Sequence, residues 1–195
     1  MDVRAFFDAV AEKWDQIAIH DREKIKHIVD YAKIKSSDLI IDLGCGTGVL
    51  LAEIGKYVNN DKSIKAIDLS ANMIEIARKK NGEGKIEYIC CDFYDYQITN
   101  KVDVIIAYSC FPHFQDQSSF FLKCNEALMD NGKLLIAHSE SRVSINKAHS
   151  AIEIKSAILE KAEDIVTLAM KFGFYEIDKV DNEEMYLVLL GKEES

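Results

Sequence analysis

One proline stands among 195 residues, Pro112, and one tryptophan, Trp14. With so little proline and no low-complexity stretch or internal repeat, there is no segment that reads as an extended linker. No apolar run approaches the roughly 18–20 residues that cross a bilayer, so no membrane partner is expected. The opening MDVRAFFDAVAEKWD mixes acids and bases and lacks the apolar core of a signal peptide. Basic residues are in deficit, 24 Lys and Arg against 33 Asp and Glu, for a net charge of −9. Phosphate recognition needs a basic surface, so a nucleic-acid partner is not expected. The five cysteines, Cys45, Cys90, Cys91, Cys110 and Cys124, are odd in number and form no C-x-x-C pair. That pattern fits free thiols in a reducing, cytoplasmic setting. The expectation is a single domain over residues 1–195, with a helical cap at 1–35 and an α/β core at 36–195.

What is present is a change of hydrophobic period. Val3, Phe6, Phe7, Val10, Trp14 and Ile17 recur at helical spacing, and a second helix is predicted over Asp21–Ala32 with Ile25, Ile28 and Val29 inward. His20 and His27 then fall on these early helices. Short apolar runs follow at Leu39–Leu43, Ile64–Ile67, Ile86–Cys90, Val102–Ala107 and Leu134–Ala137. Helical patterns separate them at Val49–Val58, Asn72–Lys79, Ser118–Met129 and Ala162–Phe172, and two closing strands at Tyr175–Val180 and Met185–Leu190 are spaced for a hairpin. Strands alternating with helices predict a doubly wound α/β fold, mostly parallel, with an antiparallel closing edge. Ligands of such sheets sit beyond the carboxyl ends of the strands.

Three of those ends carry chemistry. The first is Asp42-Leu43-Gly44-Cys45-Gly46-Thr47-Gly48, a glycine-rich turn ahead of a helix. Its glycine spacing is not the G-x-G-x-x-G of dinucleotide folds: Val49 and Leu51 stand where the third glycine would be. The bland reading is a plain strand–helix turn, and the preceding Asp42 argues against it. The second end presents Asp68, twenty residues past Gly48 and placed to accept from a ribose diol. Capping the next helix is its bland role, and Ser70 already supplies that cap. The third presents Cys91-Asp92-Phe93, where an acid and a ring suit a purine, or equally a turn-forming Asp with a core Phe.

In order and interval, DLGCGTG, IDLSANMIEIAR and CDF resemble the class I S-adenosylmethionine-dependent methyltransferases. The resemblance is strong over residues 36–138 and looser outside them. It implies a Rossmann-like seven-stranded sheet with an antiparallel C-terminal strand, and S-adenosylmethionine as methyl donor with S-adenosylhomocysteine as product. It implies further that Gly44, Cys45, Gly46 and Gly48 form the turn against the methionyl and ribose parts, with Asp42 near the amino group. Asp68 would hold the ribose hydroxyls, Leu69 and Met73 would flank the adenine, and Asp92 would meet the adenine amine beside Phe93. Tyr108 would pass the methionine moiety. Phe7 and Trp14 resemble the family's "FF…A..WD" lead-in, a helix that covers the cofactor.

Methyl transfer by in-line displacement rests mainly on alignment, with a general base where the nucleophile carries a proton. His113, His138 and His149 lie at or beyond strand ends on the expected cofactor side, and Arg142 is close by in sequence. Three readings apply: an acceptor pocket with a histidine base and Arg142 as anion binder, a structural polar network, or a metal site. No H-x-x-x-H pair supports the last. The Asn/Asp-Pro-Pro-aromatic segment of amino-methylating enzymes and the Pro-Cys nucleophile of cytosine-carbon methyltransferases are absent. The expected function is transfer to a small-molecule acceptor. The rivals are a protein or RNA methyltransferase working with a partner subunit, a non-catalytic S-adenosylmethionine-binding protein, and a nicotinamide oxidoreductase, which the glycine spacing disfavours.

Overall fold

The computed structural model describes residues 2–150 and 157–194. Seven strands form one sheet: β1 (Ile40–Leu43), β2 (Ile64–Asp68), β3 (Ile86–Cys90), β4 (Val102–Tyr108), β5 (Leu128–His138), β6 (Phe174–Asp181) and β7 (Tyr186–Lys192). Their spatial order is β3-β2-β1-β4-β5-β7-β6. β1 pairs in parallel with both β2 and β4, whereas β7 runs antiparallel between β5 and β6. The closing hairpin therefore inserts its last strand into the sheet and leaves β6 as the edge.

Successive residues of the central strands face opposite layers, as the two-residue period requires. Ile41, Leu43, Ile105 and Ala107 join one core with α6 (Gln117–Ala127) and α8 (Ala162–Met170). Ile40, Val104 and Ile106 join the other, with α3 (Arg22–Tyr31), α4 (Leu51–Ile54) and α5 (Ala71–Asn81). Burial on both faces explains why these strands read as unbroken apolar runs.

Two elements depart from the sequence reading. The helix expected over Val49–Val58 is only Leu51–Ile54, because Gly46 and Gly48 hold positive φ and keep the chain in turns until Leu50. β5 begins at Leu128, six residues ahead of the expected start, because Val102 pairs with Leu128 before the register shifts. The polar Asp130 and Asn131, the latter at φ +61°, conceal that extension from a hydrophobicity reading.

The N-terminal apolar rhythm forms α1 (Val3–Val10), a 3-10 turn (Ala11–Lys13) and α2 (Trp14–Ile17). No residue of α1 is buried, so this strongly amphipathic helix does not enter either core. Polar contacts seat it instead. The Ser70 hydroxyl donates to Asp8 Oδ1 at 2.6 Å, and the Asn72 amide donates to the Asp8 carbonyl at 2.9 Å. Further along, Thr47 Oγ1 donates to Asp15 Oδ1 at 2.5 Å and Lys80 Nζ to Asp15 Oδ2 at 2.8 Å. The cap is thus pinned to the glycine-rich turn and to both ends of α5. Among the described residues no helix is long and apolar enough to cross a membrane.

Candidate functional site

Strand order reverses between β1 and β4, and a cleft of about 450 Å³ opens beyond their carboxyl ends. Gly44, Gly46 and Gly48 have φ of +64°, +53° and +81°, conformations that side chains other than glycine adopt only with strain. At Gly44 the constraint is also steric, since an added Cβ would fall 2.6 Å from the Cys110 Cβ. Across from it, Ser109 adopts φ +53° with a side chain present, held there by its N–H donating to the Ala137 carbonyl at 2.9 Å. Such strain persists only where the surroundings fix it.

Asp68 ends β2 and lines the cleft. Its Oδ2 accepts from the Gly46 N–H at 2.8 Å and its Oδ1 from the Ser70 N–H at 2.9 Å. These bonds aim the carboxylate across the glycine turn and leave lone pairs on both oxygens. Burial raises its pKa, the backbone N–H groups pull it down, and nearby Asp8 adds to the rise. Ser70 caps α5 by accepting from the Met73 N–H at 3.1 Å, the task that would otherwise explain Asp68.

Asp42 ends at the same cleft, 1% exposed, with Oδ2 lacking any hydrogen-bond partner. Burial, then the charge of Asp68, push its pKa up to about 7. An orphaned buried carboxylate oxygen on a cavity wall fits a cationic ligand group. Trp14, Cys45, Leu69, Met73, Asp92, Phe93, Tyr108 and His113 line the cleft as well. Asp92 caps the short helix that follows it, accepting from the Tyr94 N–H at 2.9 Å, so its turn-forming role is real alongside its place on the cleft wall.

Several expected site residues fall elsewhere. Gly48 does not line the cleft; a Cβ there would meet the Asn81 amide at 2.5 Å, so this glycine serves the packing of α5 against the turn. His138 is 1% exposed among sheet residues, with neither ring nitrogen partnered and a pKa pushed down by burial to about 3. His149 lies in α7 (Arg142–Ser150), its ring 5.0 Å from that of His113, and is not on the cleft wall. Asn146 of the same helix instead fixes Leu159, whose N–H and carbonyl both bond its side-chain amide. Arg142 does not line the cleft, and its Nε pairs with Asp181 at 3.2 Å. Of the three late histidines only His113 reaches the cleft, where burial lowers its pKa to about 4. Among the described residues no group of three or more ligating side chains is placed to hold a metal.

His20 is among the cleft residues that the sequence reading did not assign to the site. His20 is not on a helix: it lies in the link between α2 and α3, and its side chain lines the cleft. Its Nδ1 is 2.8 Å from the Tyr108 hydroxyl, which is 2.8 Å from Ser139 Oγ. The signal was faint. Ala18-Ile19-His20 interrupts the helical rhythm just ahead of the Asp21 cap.

A doubly wound sheet with this order, a glycine turn after β1 and acids at the ends of β1 and β2 is the architecture of the methyltransferase type of nucleoside-binding fold. The comparisons agree. The family described as "Methyltransferase domain" matches residues 40–132. A malonyl-[acyl-carrier protein] O-methyltransferase of Acetivibrio thermocellus is 29% identical over 130 residues, 66% of this chain and 46% of that protein. The fold matches a chain from the complex between the Haloferax volcanii Trm112 methyltransferase activator and the methyltransferase, with TM-score 0.85 and 17% identity, covering 99% and 98% of the two chains. Magnesium protoporphyrin IX methyltransferase from Synechocystis PCC 6803, solved with bound S-adenosylhomocysteine, matches at TM-score 0.72 and 15% identity over 97% of both chains. Residues 40–132 thus match a methyltransferase-domain family, and the fold is one shared with solved methyltransferases. The chain spans less than half the length of the first curated relatives, 46% and 35%.

Proposed function

We propose that this protein transfers a methyl group from S-adenosylmethionine to a small-molecule acceptor. The observation that carries the reading is Asp68, bridged to the Gly46 N–H and facing the same cleft as the unpartnered oxygen of Asp42. One carboxylate suits a ribose diol and the other a cationic amino group. Gly44, Cys45 and Gly46 would cradle the middle of the cofactor, Leu69 and Met73 the adenine faces, and Asp92 with Phe93 the adenine edge. Trp14 and Phe7 would cover it. When bound, the cofactor supplies an electrophilic methyl on a sulfonium.

The chain's own part is to align the acceptor and exclude water, which supplies on the order of 7–11 kcal/mol where alignment is good. Phe7, Trp14, His113 and Phe114 give the cleft a largely aromatic wall suited to a small, partly apolar acceptor. Calorimetric titration tests the cofactor: S-adenosylmethionine and S-adenosylhomocysteine should bind and NAD should not. Turnover of a thiol, phenol, amine and carboxylate panel tests the acceptor.

A second reading is delivery of the acceptor with a partner subunit. Ile17 and Ile19, 61% and 84% exposed beside the cleft-lining His20, favour it. Activity that appears only when a partner protein is added would select it.

A further inference from the structure

The proposed reaction leaves a proton to be placed when the acceptor is a hydroxyl or an amine. Two histidines line the cleft, and their surroundings differ. His113 is flanked by the rings of Phe7 at 5.2 Å and His149 at 5.0 Å, and its Nδ1 is buried without a partner. Among the described residues no side-chain hydrogen bond orients that imidazole, and its neighbours on these two sides are an apolar ring and a second imidazole. The His113 pKa of about 4 is also too low for an efficient base near neutral pH.

His20 is held by such a bond. Its Nδ1 is fixed by the Tyr108 hydroxyl, and that hydroxyl is fixed in turn by Ser139 Oγ. Ser139 is anchored through its carbonyl, which accepts from Lys24 Nζ at 2.9 Å, and the same ammonium donates to the Glu184 carbonyl at 3.0 Å. The chain joins the cap segment, the end of β4 and the residue just beyond β5. Among the described residues, Nε2 of His20 makes no hydrogen bond. A ring with one nitrogen held by an oriented partner and the other open is the arrangement of a general base. Burial, the largest influence, lowers its pKa from the ordinary imidazole value; Asp15 and Glu140 oppose that shift and Lys80 adds to it.

We infer that His20 is the general base of this site, accepting the acceptor's proton on Nε2, and that Tyr108 positions it through Nδ1. The inference rests on the methyl-transfer reading above. In the step, the acceptor's O–H or N–H bond breaks and its proton passes to Nε2. The heteroatom's electron pair forms the bond to the methyl carbon, and the carbon–sulfur pair returns to sulfur. The role requires one tautomer: Nδ1–H donating to the Tyr108 oxygen, Tyr108 donating to Ser139, and Nε2 unprotonated.

The tautomer can be read without an acceptor. In protein labelled with ¹⁵N-histidine and saturated with S-adenosylhomocysteine at pH 7.5, His20→Gln assigns the resonances. The expected result is Nδ1–H for His20, with the preference lost in Tyr108→Phe. An Nε2–H tautomer, a doubly protonated ring, or a tautomer indifferent to Tyr108→Phe overturns the inference. With phenol and benzylamine as probes, His20→Gln should lower kcat about 10²–10⁴-fold while the Kd for S-adenosylhomocysteine is unchanged; an unchanged kcat overturns it too. Calorimetry on the same samples separates the two layers. Failure to bind S-adenosylhomocysteine removes the cofactor reading, whereas tight binding with the wrong tautomer removes only the base.

Discussion

Gly44 and Cys110 share one volume: a Cβ on Gly44 would lie 2.6 Å from the Cys110 Cβ and 2.9 Å from its Sγ. The thiol also donates to the Leu43 carbonyl at 3.1 Å, so Cys110 is locked against the end of β1. The glycine turn and the loop after β4 are therefore fitted to each other, and together they build the floor of the cleft.

Gly44→Ala should destabilise the fold for two separable reasons. The backbone at φ +64° costs about 1–2 kcal/mol for a side chain, and the overlap with Cys110 adds to it. At about 2–4 °C per kcal/mol for a chain of this size, a Tm loss of several degrees is expected. Cys110→Gly in the Gly44→Ala background should recover the overlap part, and Cys110→Ala should recover less because its Cβ remains. A strictly additive double-mutant cycle would contradict this account.

Cofactor affinity should depend on pH through Asp42. Its pKa of about 7 lies above the ordinary 3.8, so the fold favours the neutral form and loses stability as pH rises from about 4 to 7. A cationic ligand favours the ionised form, so S-adenosylmethionine should bind more tightly as pH rises from 6 to 8. Calorimetry in buffers of different ionisation enthalpy should register proton release near pH 7. Asp42→Asn should weaken binding and flatten the slope; a slope that survives this change would place the titration elsewhere.

Asp68→Asn should weaken both cofactor forms by about 1.5–3 kcal/mol, roughly 10- to 100-fold, because charge-assisted bonds to the ribose are lost. Binding at wild-type strength would mean the ribose lies elsewhere.

Trp14 is the chain's one tryptophan and lines the cleft, so its fluorescence should report occupancy directly. Titration with S-adenosylhomocysteine should change the emission. Thr47→Val removes the hydroxyl that donates to Asp15 and should speed dissociation in stopped flow, since the cap is then held by fewer contacts. Emission indifferent to ligand would separate Trp14 from the site.

His138→Leu should raise stability, because the wild-type ring buries two unpartnered nitrogens at a cost of about 1–3 kcal/mol. It should also reduce acid sensitivity. The folded pKa of about 3 lies below the ordinary 6.5, so the unfolded chain binds the extra proton and stability falls as pH drops from 6.5 toward 3. Tm measured against pH for both proteins checks this. A lower Tm at neutral pH in the variant would show that His138 has a structural partner.

What the sequence alone determined was local and periodic. Apolar runs gave the strands, helical spacing gave α3, α5, α6 and α8, and DLGCGTG with Asp68 marked the strand ends where the cleft opens. These were legible because positive φ, capping and burial act within a few residues of one another. The placement of the late histidines and of Arg142 was not. His113, His138 and His149 look equivalent along the chain, yet the pleat and the helix face send one to the cleft, one into the sheet and one behind its neighbour. Arg142 meets Asp181 and His20 meets Tyr108 across 39 and 88 residues, respectively. Only the tertiary structure decided those pairings, because a side chain's partner is set by which strand ends the sheet brings together and not by its distance along the chain.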